Sequence, residues 1–183
     1  MPSNKTYKTA IVLIPPQQVW EPIQQVRRVH DKQFQRWMPH ITLIYPFLPK
    51  DRFSTLRKKL DKIFSEQAPF ITSFNEFKYF RHHTNTFTIW LKPNPERRIS
   101  ELHESLWQLF PNLDDTRHFI DGFTPHLSVG QFVGSKAELF DQMNELQSSW
   151  EPIKWRIDRF YLIYRNDLPD DVFQIGEEIR LLG

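Results

Sequence analysis

A mixed α and β fold built from a duplicated unit is what this sequence predicts, and three observations predict it. Hydrophobic periodicity switches repeatedly between the two-residue alternation of strands and the three- and four-residue steps of amphipathic helices. In chain order the segments run β-α-β-α-β and then β-α-β-α-β-β, so the second half repeats the first. A short histidine word stands between the two helices of each half, "PHITL" at 39–43 and "PHLSV" at 125–129.

Each element has a local reason. Residues 8–14, "KTAIVLI", form an apolar run closed by two prolines and read as a buried strand. Val19, Ile23, Val26 and His30 then recur at helical spacing, with Arg27, Arg28 and Lys32 expected on the wet side and Pro22 in the first turn. After the strand at 38–47, Asp51 is expected to cap a helix whose stripe is Phe53, Leu56, Leu60 and Ile63. Residues 69–80 and 84–92 alternate as strands, with "RHHTN" as their turn. Asn94 and Pro95 are read as the cap and first residue of the next helix, which turns Ile99, Leu102, Leu106 and Leu109 inward. The second histidine strand covers 124–133, and a Ser135/Glu138 capping box opens the fourth helix. Residues 152–165 and 171–182 read as two closing strands.

Composition narrows the function. The 183 residues fit a single domain spanning 1–183, and 39% hydrophobic with 15% aromatic residues is enough to build a core. A net charge of only +2 argues against a long duplex-binding surface, so duplex DNA is not expected, while a small anionic ligand stays open. With no cysteine, disulfides, thiolate metal ligands and a cysteine nucleophile are all excluded. The apolar run "AIVLI" is too short for a secretion signal and no stretch approaches the roughly 20 residues of a membrane span. A cytoplasmic monomer with no membrane partner is the expectation.

The histidine words carry the chemistry. On a strand, residues two apart share a face, so His40 and Thr42 point one way and Ile41 and Leu43 the other; His126 and Ser128 oppose Leu127 and Val129 in the same manner. Each word therefore presents an imidazole beside a hydroxyl. With 20 Ser and Thr residues and seven His, roughly one His-x-Ser/Thr is expected by chance, and the chain has four. His103 with Ser105 lies in a helix and His82 with Thr84 in a turn, where such pairs do not share a face. The remaining two, each preceded by proline and flanked by aliphatics, suggest imidazoles converging on one cleft, one accepting a proton while the other donates.

On these residues the chain resembles the two-histidine (2H) phosphoesterase superfamily, which includes the 2'-5' RNA ligase-like proteins and cyclic phosphodiesterases. The family's mark is a pair of His-x-Thr/Ser-x motifs, here His40-Ile41-Thr42-Leu43 and His126-Leu127-Ser128-Val129, 86 residues apart. The resemblance implies an α+β bilobal fold, two antiparallel sheets flanked by helices around a central cleft. It implies a phosphodiesterase without metal or other cofactor, acting on small nucleotides or RNA ends with a 2',3'-cyclic phosphate or a 2'-5' linkage. One imidazole would be base and the other acid, with Thr42 and Ser128 holding phosphate oxygens. The competing class is a nucleotide- or RNA-binding module that uses the same cleft without catalysis. A zinc site is disfavoured, because two histidines without a third ligand fall short of the usual set.

Secondary candidates surround the words. Phe132, six residues beyond His126, is expected on its face as a stacking surface, with Gly130 leaving room for a ligand. Tyr45 could line the rim if the chain bends after the strand. Arg81, His82, His83 and Arg165 could meet phosphate but read more simply as solvated surface.

Overall fold

The computed structural model describes residues 5–113, 115–117, 122–169 and 171–183. Among the described residues there are eight strands: β1 (Thr9–Leu13), β2 (Ile41–Ile44), β3 (Phe70–His83), β4 (Thr86–Asn94), β5 (Leu127–Val133), β6 (Ile153–Ile157), β7 (Arg159–Tyr164) and β8 (Gln174–Arg180). Four α-helices lie between strands of the described residues: α1 (Trp20–His30) after β1, α2 (Phe53–Phe64) after β2, α3 (Arg97–Leu109) after β4 and α4 (Lys136–Ser149) after β5. The strands are antiparallel throughout, in the order β6-β3-β4-β5-β2-β1-β7-β8. The two expected sheets are its halves, and they join where β2 meets β5 through the single pair Ile41–Leu127. No helix among the described residues is long and apolar enough to cross a membrane.

One face of the sheet is apolar and carries all four helices, which pack on β5, β8, β2 and β3. Ile11, Leu13, Ile41, Leu43, Phe74, Leu91, Leu127, Phe160 and Leu162 form its floor, meeting Ile23, Leu60, Leu102 and Leu139 from the helices. The other face is left for the cleft. A small second cluster lies there, Ala10, Val12, Ile163 and Phe173, with Trp37, Met38, Tyr45 and Tyr161 against it.

Several local expectations are corrected. Residues 152–165 are two strands, not one. The inward positions Ile153, Trp155 and Ile157 are followed by Phe160 and Leu162, so the alternation slips at Asp158. The chain turns there, and β6 pairs with β3 at one edge while β7 pairs with β1 near the other, which curls the sheet. Asp51 sits in a short 3-10 turn before α2 and makes no cap bond. Asn94 ends β4, and α3 starts three residues later without a side-chain cap. Ile63 faces solvent and Phe64 takes its inner position. The capping box of α4 forms as expected: the Ser135 N–H donates to Glu138 Oε2 at 2.7 Å and the Glu138 N–H to Ser135 Oγ at 3.3 Å. Such a cap is worth about 1 kcal/mol.

Candidate active site

The Ile41–Leu127 pair sets the site. Ile41, Leu43, Leu127 and Val129 are buried on the helix face, which turns His40, Thr42, His126 and Ser128 to the opposite one. Because the strands are antiparallel, carrying that register one residue each way sets His40 across from Ser128 and Thr42 across from His126. The two words are thus related by a local twofold axis. Directly opposed Cβ atoms lie about 5 Å apart and diagonal ones about 7–8 Å, which is room for one phosphate between two imidazoles.

The rings are held alike. His40 Nδ1 lies 2.7 Å from the Met38 carbonyl and His126 Nδ1 lies 2.8 Å from that of Thr124. A carbonyl can only accept, so Nδ1 carries the hydrogen in each ring and the proton that comes and goes belongs to Nε2. Trp37 stacks on His40 at 4.6 Å and 17° and packs on Phe173 at 3.7 Å. His126 receives Phe80 edge-on at 4.9 Å and Trp90 at 5.8 Å. Burial among these rings pushes His40 down to about 4, against the pull of its Met38 bond; the cationic forms of Arg27 and His126 lower it further, while Asp31 raises it. Burial also lowers His126, with its Thr124 bond acting the other way. Both rings are therefore neutral at pH 7 in the free protein.

The segment before His40 is fixed by a residue expected in solvent. Arg27 is only 2% exposed, because the C-terminal end of α1 packs on β5 and the 31–38 segment folds over it. It donates to Asp31 Oδ2 (2.8 Å), Gln24 Oε1 (2.9 Å) and the Trp37 carbonyl (2.8 Å). Asp31 in turn accepts from the Gln33 N–H and from Gln131 of β5. One buried ion pair thereby ties the Trp37–His40 segment to the strand that carries His126.

Gly130 and Phe132 serve the fold rather than the cleft. A bulge between Ile89 and Trp90 pairs Ile89 with Gly130 but Trp90 with Ser128, so parity changes within β5. Phe132 lands on the helix face against Phe87, at 6.5 Å, and is no stacking surface for a ligand beside His126. Gly130 admits α1, since a Cβ there would lie 2.4 Å from His30 Cβ. Tyr45 reaches the His40 side, because Leu43 and Ile44 both turn inward and shift the alternation; its ring meets Trp37 at 5.5 Å. Arg81, His82 and His83 are exposed, with His82 bonded to Thr88, and Arg165 approaches Phe173. Sequence reasoning missed Trp37, Phe80, Trp90, Phe173 and Arg27. Trp90 alone had a signal, its outward parity in β4. No group of three or more metal-ligating side chains forms among the described residues.

This architecture is that of the two-histidine phosphoesterases. A crystal structure of TT0787 of Thermus thermophilus shares it with a TM-score of 0.63 at 18% identity, covering 96% of this chain and 98% of that one. E. coli LigT complexed with phosphate gives 0.63 at 14%, covering 98% and 99%, and LigT complexed with 3'-AMP gives 0.57 at 13%, covering 98% and 99%. The chain belongs to the 2'-5' RNA ligase superfamily, which it matches over residues 15–168. Among curated relatives, "Putative phosphoesterase GK0864" of Geobacillus kaustophilus is 29% identical over 160 residues, covering 86% of this chain and 88% of that one. "Putative phosphoesterase Bcer98_0945" of Bacillus cytotoxicus is 27% identical over 175 residues, covering 95% and 96%.

Proposed function

We propose that this protein is a phosphodiesterase that cleaves small ribose phosphodiesters, a 2',3'-cyclic phosphate or a 2'-5' linkage of a nucleotide or RNA end, by two-histidine acid/base catalysis. The carrying observation is the twofold juxtaposition of two imidazoles, each locked with its hydrogen on Nδ1 and each beside a hydroxyl. A neutral ring accepts a proton at Nε2 from water, or from a ribose hydroxyl in the ligating direction. The other ring, once protonated, gives its Nε2 proton to the leaving ribose oxygen. Thr42 and Ser128 donate to the non-bridging oxygens as negative charge builds on them. The monoanionic phosphodiester between the rings also favours the imidazolium that the free protein disfavours, so substrate itself prepares the acid. Tyr45 lies at the rim of this arrangement beside Trp37 and would bound the ribose or base. The family, the names of the curated relatives and the phosphate and 3'-AMP complexes of LigT all support this reading.

The test is turnover of 2',3'-cyclic nucleotides and short 2'-5'-linked oligonucleotides in the presence of EDTA, beside His40→Ala and His126→Ala. Chelator-resistant turnover with a bell-shaped pH profile, and loss of about 10²–10⁴-fold in each folded variant, is expected. Binding without turnover in the wild type would leave the cleft as a binding module, and turnover abolished by EDTA would defeat the metal-free mechanism.

A further inference from the structure

The cleft face is electrically lopsided. On the β6-β3-β4 side, strand alternation turns Lys154 and Arg156 of β6, Glu76, Lys78 and Phe80 of β3, and Thr88, Trp90 and Lys92 of β4 to the same side as His126 and Ser128. Their partners on the other face, Phe74, Phe77, Phe87, Ile89, Leu91, Ile153 and Trp155, are core. That is four cations against one carboxylate on three adjacent strands, in a chain whose whole net charge is +2. The remainder of the molecule is therefore net acidic, and the positive charge is concentrated beside the site.

The pairing of these cations sharpens the contrast. Lys78 is held by Glu76, but Lys92, Lys154 and Arg156 have no ion-pair partner among the described residues. On the β1-β7-β8 side most cations are engaged, Arg36 with Asp171, Lys8 with Asp167, Arg159 with Asp158 and Glu178, and Arg180 with Glu178, the exception being Arg165, whose guanidinium lies 5.8 Å from the Phe173 ring. Aromatic surface accompanies the unpaired charge, since Phe80 stacks on Trp90 at 4.8 Å while touching His126. Three strand spacings separate β5 from β6, about 14 Å in all. The row ends at a hollow of about 270 Å³ where β6 turns into β7, lined by Arg156, Tyr161, Ile14 and the Asp158–Arg159 ion pair.

We infer that the β6-β3-β4 face is a track for single-stranded RNA leading to the reacting phosphate, so that the preferred substrate is an oligonucleotide end rather than a mononucleotide. The inference rests on the function proposed above and deepens it. Basic side chains at strand spacing follow a phosphodiester backbone, and a ring stack beside them takes an unpaired base without reading its sequence. A mononucleotide fills only the space between the imidazoles, where Lys92 stands across from His126, and leaves Lys154 and Arg156 unused. Duplex does not present its bases to Phe80, which is the reason for choosing a single strand.

The experiment compares a nucleoside 2',3'-cyclic phosphate with a tetranucleotide ending in the same group, as kcat/KM between about 50 and 200 mM salt. Three phosphate contacts on a single strand give a log–log salt slope of about −2, a loss of about 16-fold over that range, and the mononucleotide should lack this steepness. Lys154→Gln and Arg156→Gln should each flatten the oligonucleotide slope by about 0.7 and leave mononucleotide turnover unchanged, whereas Lys92→Gln, set across from His126 by the Leu91–Leu127 register, should weaken turnover of both substrates. Equal kcat/KM and equal slopes for both substrates, or a triple variant indistinguishable from wild type, would overturn the track. Fluorescence anisotropy of a labelled single-stranded tetranucleotide on His40→Ala reads the track without chemistry. If neither substrate turns over, the catalytic reading fails, and this binding with its dependence on the three cations alone decides the inference.

Discussion

Replacing Gly130 with alanine tests how β5, and with it His126, is seated. The added Cβ would lie 2.4 Å from His30 Cβ and 2.9 Å from the His30 carbonyl carbon and oxygen. Non-bonded carbons rest about 3.5–4.0 Å apart. The obstacles are the root of a side chain and the backbone of the last residue of α1, so no rotamer change relieves them, and α1 must lift from the sheet. Overpacking costs about 1–3 kcal/mol, and a rigid neighbour puts this case at the upper end. Alanine restricts the unfolded chain and returns about 0.4–1 kcal/mol, leaving a net loss of about 2 kcal/mol. For a chain of this size that lowers the Tm by about 4–8 °C. The same displacement strains the bonds from the Lys32 N–H to Gln131 Oε1 and from Gln131 to Asp31, which tie the His40 segment to β5. Differential scanning calorimetry of Gly130→Ala beside wild type is the assay. Gly122→Ala is the control, with nothing within 4 Å of the new Cβ but a φ of +70°, and should cost about 1 kcal/mol. A Gly130→Ala melting temperature at or above wild type would refute the close-approach argument.

Two further outcomes follow from the buried groups around His40. Arg27→Met leaves the Asp31 carboxylate, 6% exposed, without its cation and should cost about 3–5 kcal/mol by urea denaturation, of which Asp31→Asn in the same chain recovers part; an Arg27→Met protein as stable as wild type would show that the pair holds nothing. By NMR titration the His40 ring should stay neutral far below its ordinary 6.5, with a midpoint near 4. The sign is set by the unfolded chain, whose imidazole protonates first: stability is full above pH 6.5 and is lost as pH falls toward about 4. His40→Gln should flatten that part of the acid slope, and a folded-state midpoint at or above 6.5 would contradict burial of the ring.

The parts of the site that were legible in the sequence are those governed by one-residue alternation. His40 and Thr42, like His126 and Ser128, face away from buried aliphatics because nothing interrupts the pleat across those three residues. The alternation stops being a guide wherever a strand is irregular. Phe132 was assigned by counting six residues along a regular strand, and one bulge in β5, with Val129 as the extra residue, turned it to the helices. Tyr45 came to the other side for the converse reason, two successive inward residues. Arg27 was read as solvated because a helix shows its polar residues on one arc; what buries it is the 31–38 segment and β5, neither of which is local to α1.

By itself the sequence determined the element order through α4, the repeated succession of strands and helices and the two imidazole–hydroxyl words, since these depend on periodicities and spacings written along the chain. It even held the slip at Asp158, in the three-residue step from Ile157 to Phe160. Only the tertiary structure decided that β6 and β7 part to distant positions in one sheet and that β2 meets β5 at a single pair. The physical reason is that pairing partners are chosen by the burial of faces from remote strands and helices, a choice that no local window contains. That choice brings together two histidines 86 residues apart and sets Lys92, Lys154 and Arg156 on one side of them.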